Sequence, residues 1–327
     1  GVPVSSLTEE YLPEKFPLEI GKENIVINGS YLPQAGLLSA IQSLKEGEAL
    51  MDQEQYIAYG SQNPKIPFRA EDYALIPFEA NCLTIKNTWD IFSKNGDAIQ
   101  SDFNLLTHGR KSQPISGTNQ VLHPENIFIE EGATVEFSIL NASTGPIYIG
   151  KNALMMEGCM IRGGFALCEG AVLKMGAKIY GPTTAGPGCK LGGEVNNSVL
   201  FANSNKGHDG FLGNSVLGEW CNIGADTNTS NLKNNYAGVR LWNYKTEGFA
   251  KTGLQFCGLM MGDHSKCGIN VMFNTGTVIG VSANIFGSGF PRNFVPSFSW
   301  GGASGFTTFL PKKSFEVATA MMERRGM

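Results

Sequence analysis

Charge is scarce in this sequence: 17% of its 327 residues are Asp, Glu, Lys or Arg, and the formal net charge is -4. That leaves no basic footprint for nucleic acid and no Lys/Arg cluster for an anionic membrane surface. No apolar run approaches the ~18 residues of a membrane span, and Gly1-Val-Pro-Val-Ser-Ser shows no basic region followed by an apolar stretch. A soluble, cytoplasmic protein is expected, whose partners are small molecules or copies of itself. Paired cysteines are also lacking. Cys82, Cys159, Cys168, Cys189, Cys221, Cys257 and Cys267 are scattered without a CxxC spacing, which argues against a disulfide framework or a zinc knuckle. His123, His208 and His264 lack the paired spacing of a zinc enzyme, so no metal site is expected from them.

What is abundant is glycine, with 41 residues against an average share of about 7%. Glycine inside a helix costs about 1 kcal/mol relative to alanine, so a helical bundle is excluded. Disorder is excluded by a 42% hydrophobic and 10% aromatic content. A turn-rich, β-dominated chain remains.

Residues 1 to 107 read as mixed α and β. Ile25-Val-Ile is expected as a short buried strand, and Leu37, Leu38, Ile41 and Leu44 share one face of a helix closing at Gly47. Ala49-Leu-Met and Tyr56-Ile-Ala-Tyr are expected to pair around Asp52 to Gln55. Asn87 suits the N-cap of a helix carrying Trp89, Phe92, Ile99, Phe103 and Leu106, bent near Asn95-Gly96. A breaker-rich linker is expected over 108–124.

From about residue 125 the period becomes six. Ile149, Met155, Ile161, Leu167, Leu173, Ile179, Ala185 and Leu191 recur without a miss, a run with a chance of roughly one in a thousand in one phase. The fourth residue after each is small or compact, from Ala153 and Cys159 to Cys189 and Val195, with Phe165 the exception. Neither a helix nor an alternating strand has this period; a solenoid coil with three six-residue sides does. The pattern resumes at Leu217, at Ile223, and from Met261 through Cys267, Phe273, Ile279 and Ile285. The breaks at Asn196 to Leu212 and Leu232 to Gly258 are expected to be insertions that project as loops and carry sites. Residues 125–310 are thus one solenoid, and Lys312 to Met327 an amphipathic helix with Phe315, Ala318, Met321 and Met322 on one side. The start in mid-domain and the abrupt end at Arg324-Arg-Gly-Met suggest a fragment or a processed chain.

The hexads resemble the hexapeptide-repeat acyltransferases, whose parallel β-helix is left-handed against the usual crossover rule. Gly207-His-Asp-Gly-Phe-Leu-Gly-Asn-Ser-Val-Leu-Gly-Glu-Trp-Cys-Asn-Ile-Gly-Ala-Asp-Thr-Asn-Thr-Ser-Asn231 is similar to the core of the bifunctional N-acetylglucosamine-1-phosphate uridyltransferase/glucosamine-1-phosphate acetyltransferase family. The resemblance is to the variant whose N-terminal part is a divergent nucleotidyltransferase-like domain. The implied fold is an α+β N-terminal region, a left-handed parallel β-helix over 125–310 and a short C-terminal helix over 311–327. The implied enzyme is an acetyl-CoA-dependent N-acetyltransferase of an amino-sugar 1-phosphate, working as a homotrimer.

Acyl transfer to an amine needs a base and a donor for the developing oxyanion. By resemblance His208 is the base and Glu194 the residue that orients it, with Asn196 in that place under a different gap. Asn222, Lys206, Phe211 and Lys233 fall at substrate positions; Asn231, Gly268, Ile269 and Gly287 fall at acetyl-CoA positions. Asn222 and Asn231 equally suit solenoid corners, since asparagine tolerates left-handed turns, and a solvated lysine is the ordinary reading of Lys206 and Lys233.

The sequence also departs from that family. Its phosphate-clamping arginine corresponds here to Gly186-Pro-Gly or to Tyr180, and its tyrosine after the base is Phe211, which donates no hydrogen bond. The second break contains Arg240, Trp242, Lys245 and Lys251 as basic or aromatic replacements. In the N-terminal region a glycine-rich phosphate loop is absent, and Val26-Ile-Asn-Gly-Ser30 offers a serine where a Mg²⁺-binding aspartate would stand. Magnesium is expected only if that region is active. The alternatives are a sugar-1-phosphate nucleotidyltransferase that uses its solenoid to oligomerise, and a non-catalytic ligand-binding scaffold.

Overall fold

A computed structural model describes residues 3–53, 55–64, 67–79 and 82–327. The chain divides into two units, Gly1–Lys86 and Asn87–Met327.

In the first unit a four-stranded sheet has the order Ile25–Ile27, Gln55–Gly60, Glu48–Asp52, Ala74–Pro77. The expected hairpin is present, with Ala49 opposite Tyr59 and Asp52 opposite Gln55; Glu54 of its turn lies outside the described residues. Leu37, Ile41, Leu50 and Ile57 form the core beside the helix Ala35–Gln42. Two expectations need correction. Ile25–Ile27 is an edge strand whose isoleucines are exposed, because among the described residues it pairs only with Gln55–Gly60 and its other side is left open. The helix stops at Gln42, so Leu44 lies beyond it and Gly47 does not close it.

The second unit begins with two helices, Thr88–Ser93 and Asn95–Thr107, meeting at Lys94. Asn87 and Asp90 form the capping box that starts them. These helices were expected in the N-terminal region. They belong instead to the solenoid unit, because Asn95 bonds Pro182 O and Thr184 Oγ1 at 3.0 and 2.9 Å. Part of the expected linker is also solenoid, since Gln120–Leu122 pairs in parallel with Ile139–Asn141.

From Ile127 the chain winds as a parallel β-helix with three faces. Face one stacks Thr134–Val135, Leu154–Met155, Val172–Leu173, Lys190–Leu191 and Asn205–Lys206. Face two runs from Ile139–Asn141 through Met160–Arg162, Lys178–Tyr180 and Glu194–Asn196 to Phe211–Gly213. Face three runs from Ile127–Ile129 to Phe294–Val295. The hexad residues and their small companions point inward together: Met155, Cys159, Ile161, Leu167, Ala171 and Leu173 are all buried in one continuous core. Burial raises the thiols of Cys189 and Cys221 to about 12, as befits packing residues. The expected architecture, an α+β region, a β-helix and a closing helix at Pro311–Glu323, is the one found. On that helix Phe315 is exposed rather than packed.

The two breaks turn out to differ in kind. The segment 196–212 is no insertion: it supplies strands to all three faces at Val199–Leu200, Asn205–Lys206 and Phe211–Gly213. Val172 pairs with Lys190 eighteen residues on, but Lys190 pairs with Asn205 after only fifteen. The coil is shortened, chiefly at Leu191-Gly-Gly-Glu194. The segment 232–258 is a true insertion. It carries an antiparallel hairpin, Arg240–Asn243 with Gly248–Lys251, which sheathes the outside of face three. There Val239 and Leu241 join Phe92, Val199, Val216, Met260 and Val278 in a second core, and Trp242 stacks on Phe294 with centroids 4.2 Å apart.

Candidate functional site

Faces one and two meet along an edge where the chain turns corners at Gly192-Gly193, Gly207–Gly210, Gly224–Thr227, Gly268–Val271 and Phe286-Gly287. Successive corners touch backbone to backbone. A Cβ on Gly193 would sit 2.6 Å from His208 O, one on Gly210 2.2 Å from Thr227 O, and one on Gly224 2.2 Å from Gly268 O. Gly193 also has φ +69°, so this corner requires glycine on both counts. The full-length corner of the next coil packs directly against the short one, with Gly207 O and His208 O where Cβ atoms on Gly192 and Gly193 would stand.

His208 rides on that corner. It is exposed, while the backbone beneath it is tied down: Asp226 N donates to Asp209 O at 3.0 Å and Glu194 N to Gly210 O at 3.2 Å. The same edge carries Gly268, the 68% exposed Ile269 and Gly287, so four of the expected site residues follow one another along it. Glu194 and Phe211 begin adjacent strands of face two and pair directly, and Phe211 N donates to Asn228 Oδ1 at 2.9 Å.

Other expected residues stand elsewhere. The Glu194 carboxylate accepts from Tyr180 Oη at 2.5 Å, and among the described residues it makes no hydrogen bond to the His208 ring. Burial, and then this bond, raise the Tyr180 phenol to about 12. Asn196, its alternate, donates to Tyr180 O at 3.2 Å, on the far end of the same strand. Asn222 lies on face one and accepts from Asn205 Nδ2 at 3.2 Å. Asn231 sits at the opposite edge, between faces two and three, where its amide donates to Asn214 Oδ1 at 2.8 Å. Its amide and the Phe211 ring meet over Gly213, whose Cβ would lie 2.7 and 2.5 Å from them. Lys233, in the insertion, donates to Gly238 O at 3.1 Å.

Lys206 departs furthest from expectation. It is 1% exposed and occupies an inward position of face one, in line with Leu191 and Ile223. Its ammonium donates to Gly192 O at 3.2 Å, to Asp209 O at 3.3 Å, and to His208 O. An ammonium so enclosed does not reach a phosphate in solvent. Burial lowers its pKa to about 8, against the opposing pull of Asp209, Cys267 and Asp226.

Arg325 carries no signal in the sequence pattern. From beyond the C-terminal helix its guanidinium donates to Gly188 O at 2.6 Å, Asn203 Oδ1 at 3.0 Å and Asn205 Oδ1 at 2.9 Å. It also lies 5.5 Å from the Trp220 ring centre. In the first unit Ser30 bonds Asn28 Oδ1 through both N and Oγ, at 3.1 and 2.9 Å. Hydroxyl and amide groups without a carboxylate do not fit Mg²⁺, and among the described residues no group of three or more His, Cys, Asp or Glu is placed to hold a metal. No helix among them is long and apolar enough to cross a membrane.

Residues 1–111 match the sugar nucleotidyl transferase family. The bifunctional protein GlmU of Methanocaldococcus jannaschii is 34% identical over 87 residues, 27% of this chain and 21% of that protein. The matched stretch thus spans about a fifth of this relative's length. The uncharacterized acetyltransferase YaiX of Escherichia coli is 27% identical over 143 residues, 43% of this chain and 61% of that protein. The chain resembles the hexapeptide-repeat acyltransferases. Among solved structures, the UDP-N-acetylglucosamine acyltransferase LpxA from Bacteroides fragilis is 16% identical, covering 65% of this chain and 78% of that one with a TM-score of 0.28. The polySia-specific acetyltransferase NeuO is 11% identical, covering 58% and 78%, with a TM-score of 0.30.

Proposed function

We propose that this protein is an acetyl-CoA-dependent N-acetyltransferase of an amino-sugar 1-phosphate, serving nucleotide-sugar or cell-envelope precursor synthesis as a cytoplasmic homotrimer. The observation that carries the reading is His208, an exposed imidazole on a backbone-tied corner, with Gly268, Ile269 and Gly287 along one edge. The names of the relatives, a bifunctional GlmU and an acetyltransferase, support the same class. In this chemistry the sugar amine attacks the thioester carbonyl and a C–N bond forms as His208 removes the amine proton. The tetrahedral adduct then collapses, the C–S bond breaks, and the thiolate leaves as the free thiol with that proton. A base of this kind contributes about 10²–10⁴ in rate. Phe211 gives no hydroxyl to the sugar, and its ring turns instead toward Gly213 and the Asn231 amide.

The test is thiol release from acetyl-CoA against a panel of amino-sugar phosphates. Turnover with one hexosamine 1-phosphate is expected; no release with any of them rejects the reading. Light scattering on the same sample should give three times the chain mass.

The family match over residues 1–111 favours a second reading, a sugar-1-phosphate nucleotidyltransferase. It requires pyrophosphate release from a nucleoside triphosphate and a sugar 1-phosphate, with Mg²⁺ supplied. No release with the common nucleotides rejects it.

A further inference from the structure

The core of a β-helix is the costliest place for an ammonium, and face one puts Lys206 there. Its column is otherwise apolar, with Leu191 below and Ile223 above. An aliphatic side chain would fill the same space without the cost of burying a charge. What only the lysine supplies is three donors at the end of a long stem. Those donors converge on the carbonyls of Gly192, His208 and Asp209, joining the shortened corner of one coil to the corner above it. One of the three carbonyls belongs to His208 itself.

We propose that Lys206 is the positioning residue of the site, its ammonium locking the 207–210 corner onto Gly192-Gly193 so that the His208 ring is presented at a fixed place on the edge. Three titratable groups face the ammonium among the described residues. Asp209 comes from its own corner, Asp226 from the corner above and Cys267 from the core of a later coil. Among the described residues neither carboxylate nor the Cys267 thiol takes a hydrogen bond from the ammonium, so the lock is made of backbone carbonyls and its strength depends on geometry.

The inference rests on the acetyltransferase reading only for its catalytic consequence, and two readouts keep the parts separate. The first is hydrogen exchange in Lys206→Met, a change that conserves volume and suits the apolar column. Protection of the Glu194 and Asp226 amides, which donate to the Gly210 and Asp209 carbonyls of that corner, should fall by about tenfold or more, as expected for loss of hydrogen bonds from a charged donor, while the other coils keep theirs. The second is the kinetic split: kcat for thiol release should fall by a similar factor, with KM for acetyl-CoA changed less than about threefold. Lys206→Gln, which retains a neutral donor, should fall between Met and wild type in both.

Unchanged protection of the Glu194 and Asp226 amides in Lys206→Met overturns the proposal. So does a uniform loss across the solenoid, which would make Lys206 a fold-holding residue only. If wild type and variants all fail to release thiol, the acetyltransferase reading fails, and the exchange result still decides whether Lys206 holds the corner.

Discussion

The two breaks in the hexad register look alike as sequence and do opposite things. At 196–212 the coil is pulled in: Lys190 meets Asn205 fifteen residues on, and the corner above the short one carries His208. At 232–258 the coil is let out: Val216 meets Met260 across forty-four residues, and the excess folds into a hairpin over face three. Removal of residues makes a crowded, glycine-dependent, backbone-locked edge. Addition makes a new hydrophobic layer. A solenoid therefore has two ways to make a local feature, and only the first forces a side chain onto a fixed corner without adding a core of its own.

If the contracted corner is the site and the hairpin a brace, their variants should separate activity from stability. The largest effect is expected for His208→Ala. The side chain is exposed, so the melting temperature should hold while kcat/KM for thiol release falls by about 100-fold or more. Full activity in this variant would remove the contracted corner from the chemistry altogether.

Leu241→Ala tests the other break. Leu241 is 1% exposed in the second core, and its truncation should cost about 2–5 kcal/mol in urea unfolding. The specific activity of the folded fraction should stay near wild type. A variant equally stable but inactive would make the hairpin part of the site and erase the contrast.

Gly193→Ala should cost less stability, about 1–3 kcal/mol, from a strained φ and a Cβ against His208 O. Unlike Leu241→Ala it should also lower kcat, because the corner must shift to admit the methyl group. Crystal or exchange data showing the 207–210 corner unmoved would break the proposed coupling between contraction and site.

Much of this was legible in the sequence, for a physical reason. Inward positions of a coil tolerate little but apolar residues, so Ile149 to Leu191 recur in phase and all are buried. A lost phase, however, reports that a coil changes length and not in which direction, so the shortened coil at 196–212 read as a loop. The same loss hid Lys206, which read as a surface lysine beside the motif. A signal was present all the same. Cys189, Ser204 and Cys221 are the small buried residues two places before Leu191, Lys206 and Ile223, and aligning on them puts the lysine in the core. Arg325 had no such signal, since its partners Gly188, Asn203 and Asn205 lie 120 or more residues away in the chain. The helices at 88–107 read as part of the first unit because an apolar stripe identifies a helix without saying which core it packs on.

Glu194 is where the sequence resemblance and the geometry pull hardest against each other, and Tyr180→Phe is the mildest variant that separates them. The phenol donates to the Glu194 carboxylate at 2.5 Å across neighbouring strands of face two. Removing one partly exposed hydroxyl should change stability by about 1 kcal/mol or less. If Glu194 orients the base, as the family pattern implies, freeing its carboxylate should displace the pH–rate profile of thiol release. If Glu194 serves only to hold Tyr180 on the strand, the profile should superimpose on wild type. The geometry favours superposition, because the His208 corner is already held through Lys206, Asp226 N and Glu194 N, and a ring presented by its backbone has less need of a carboxylate behind it.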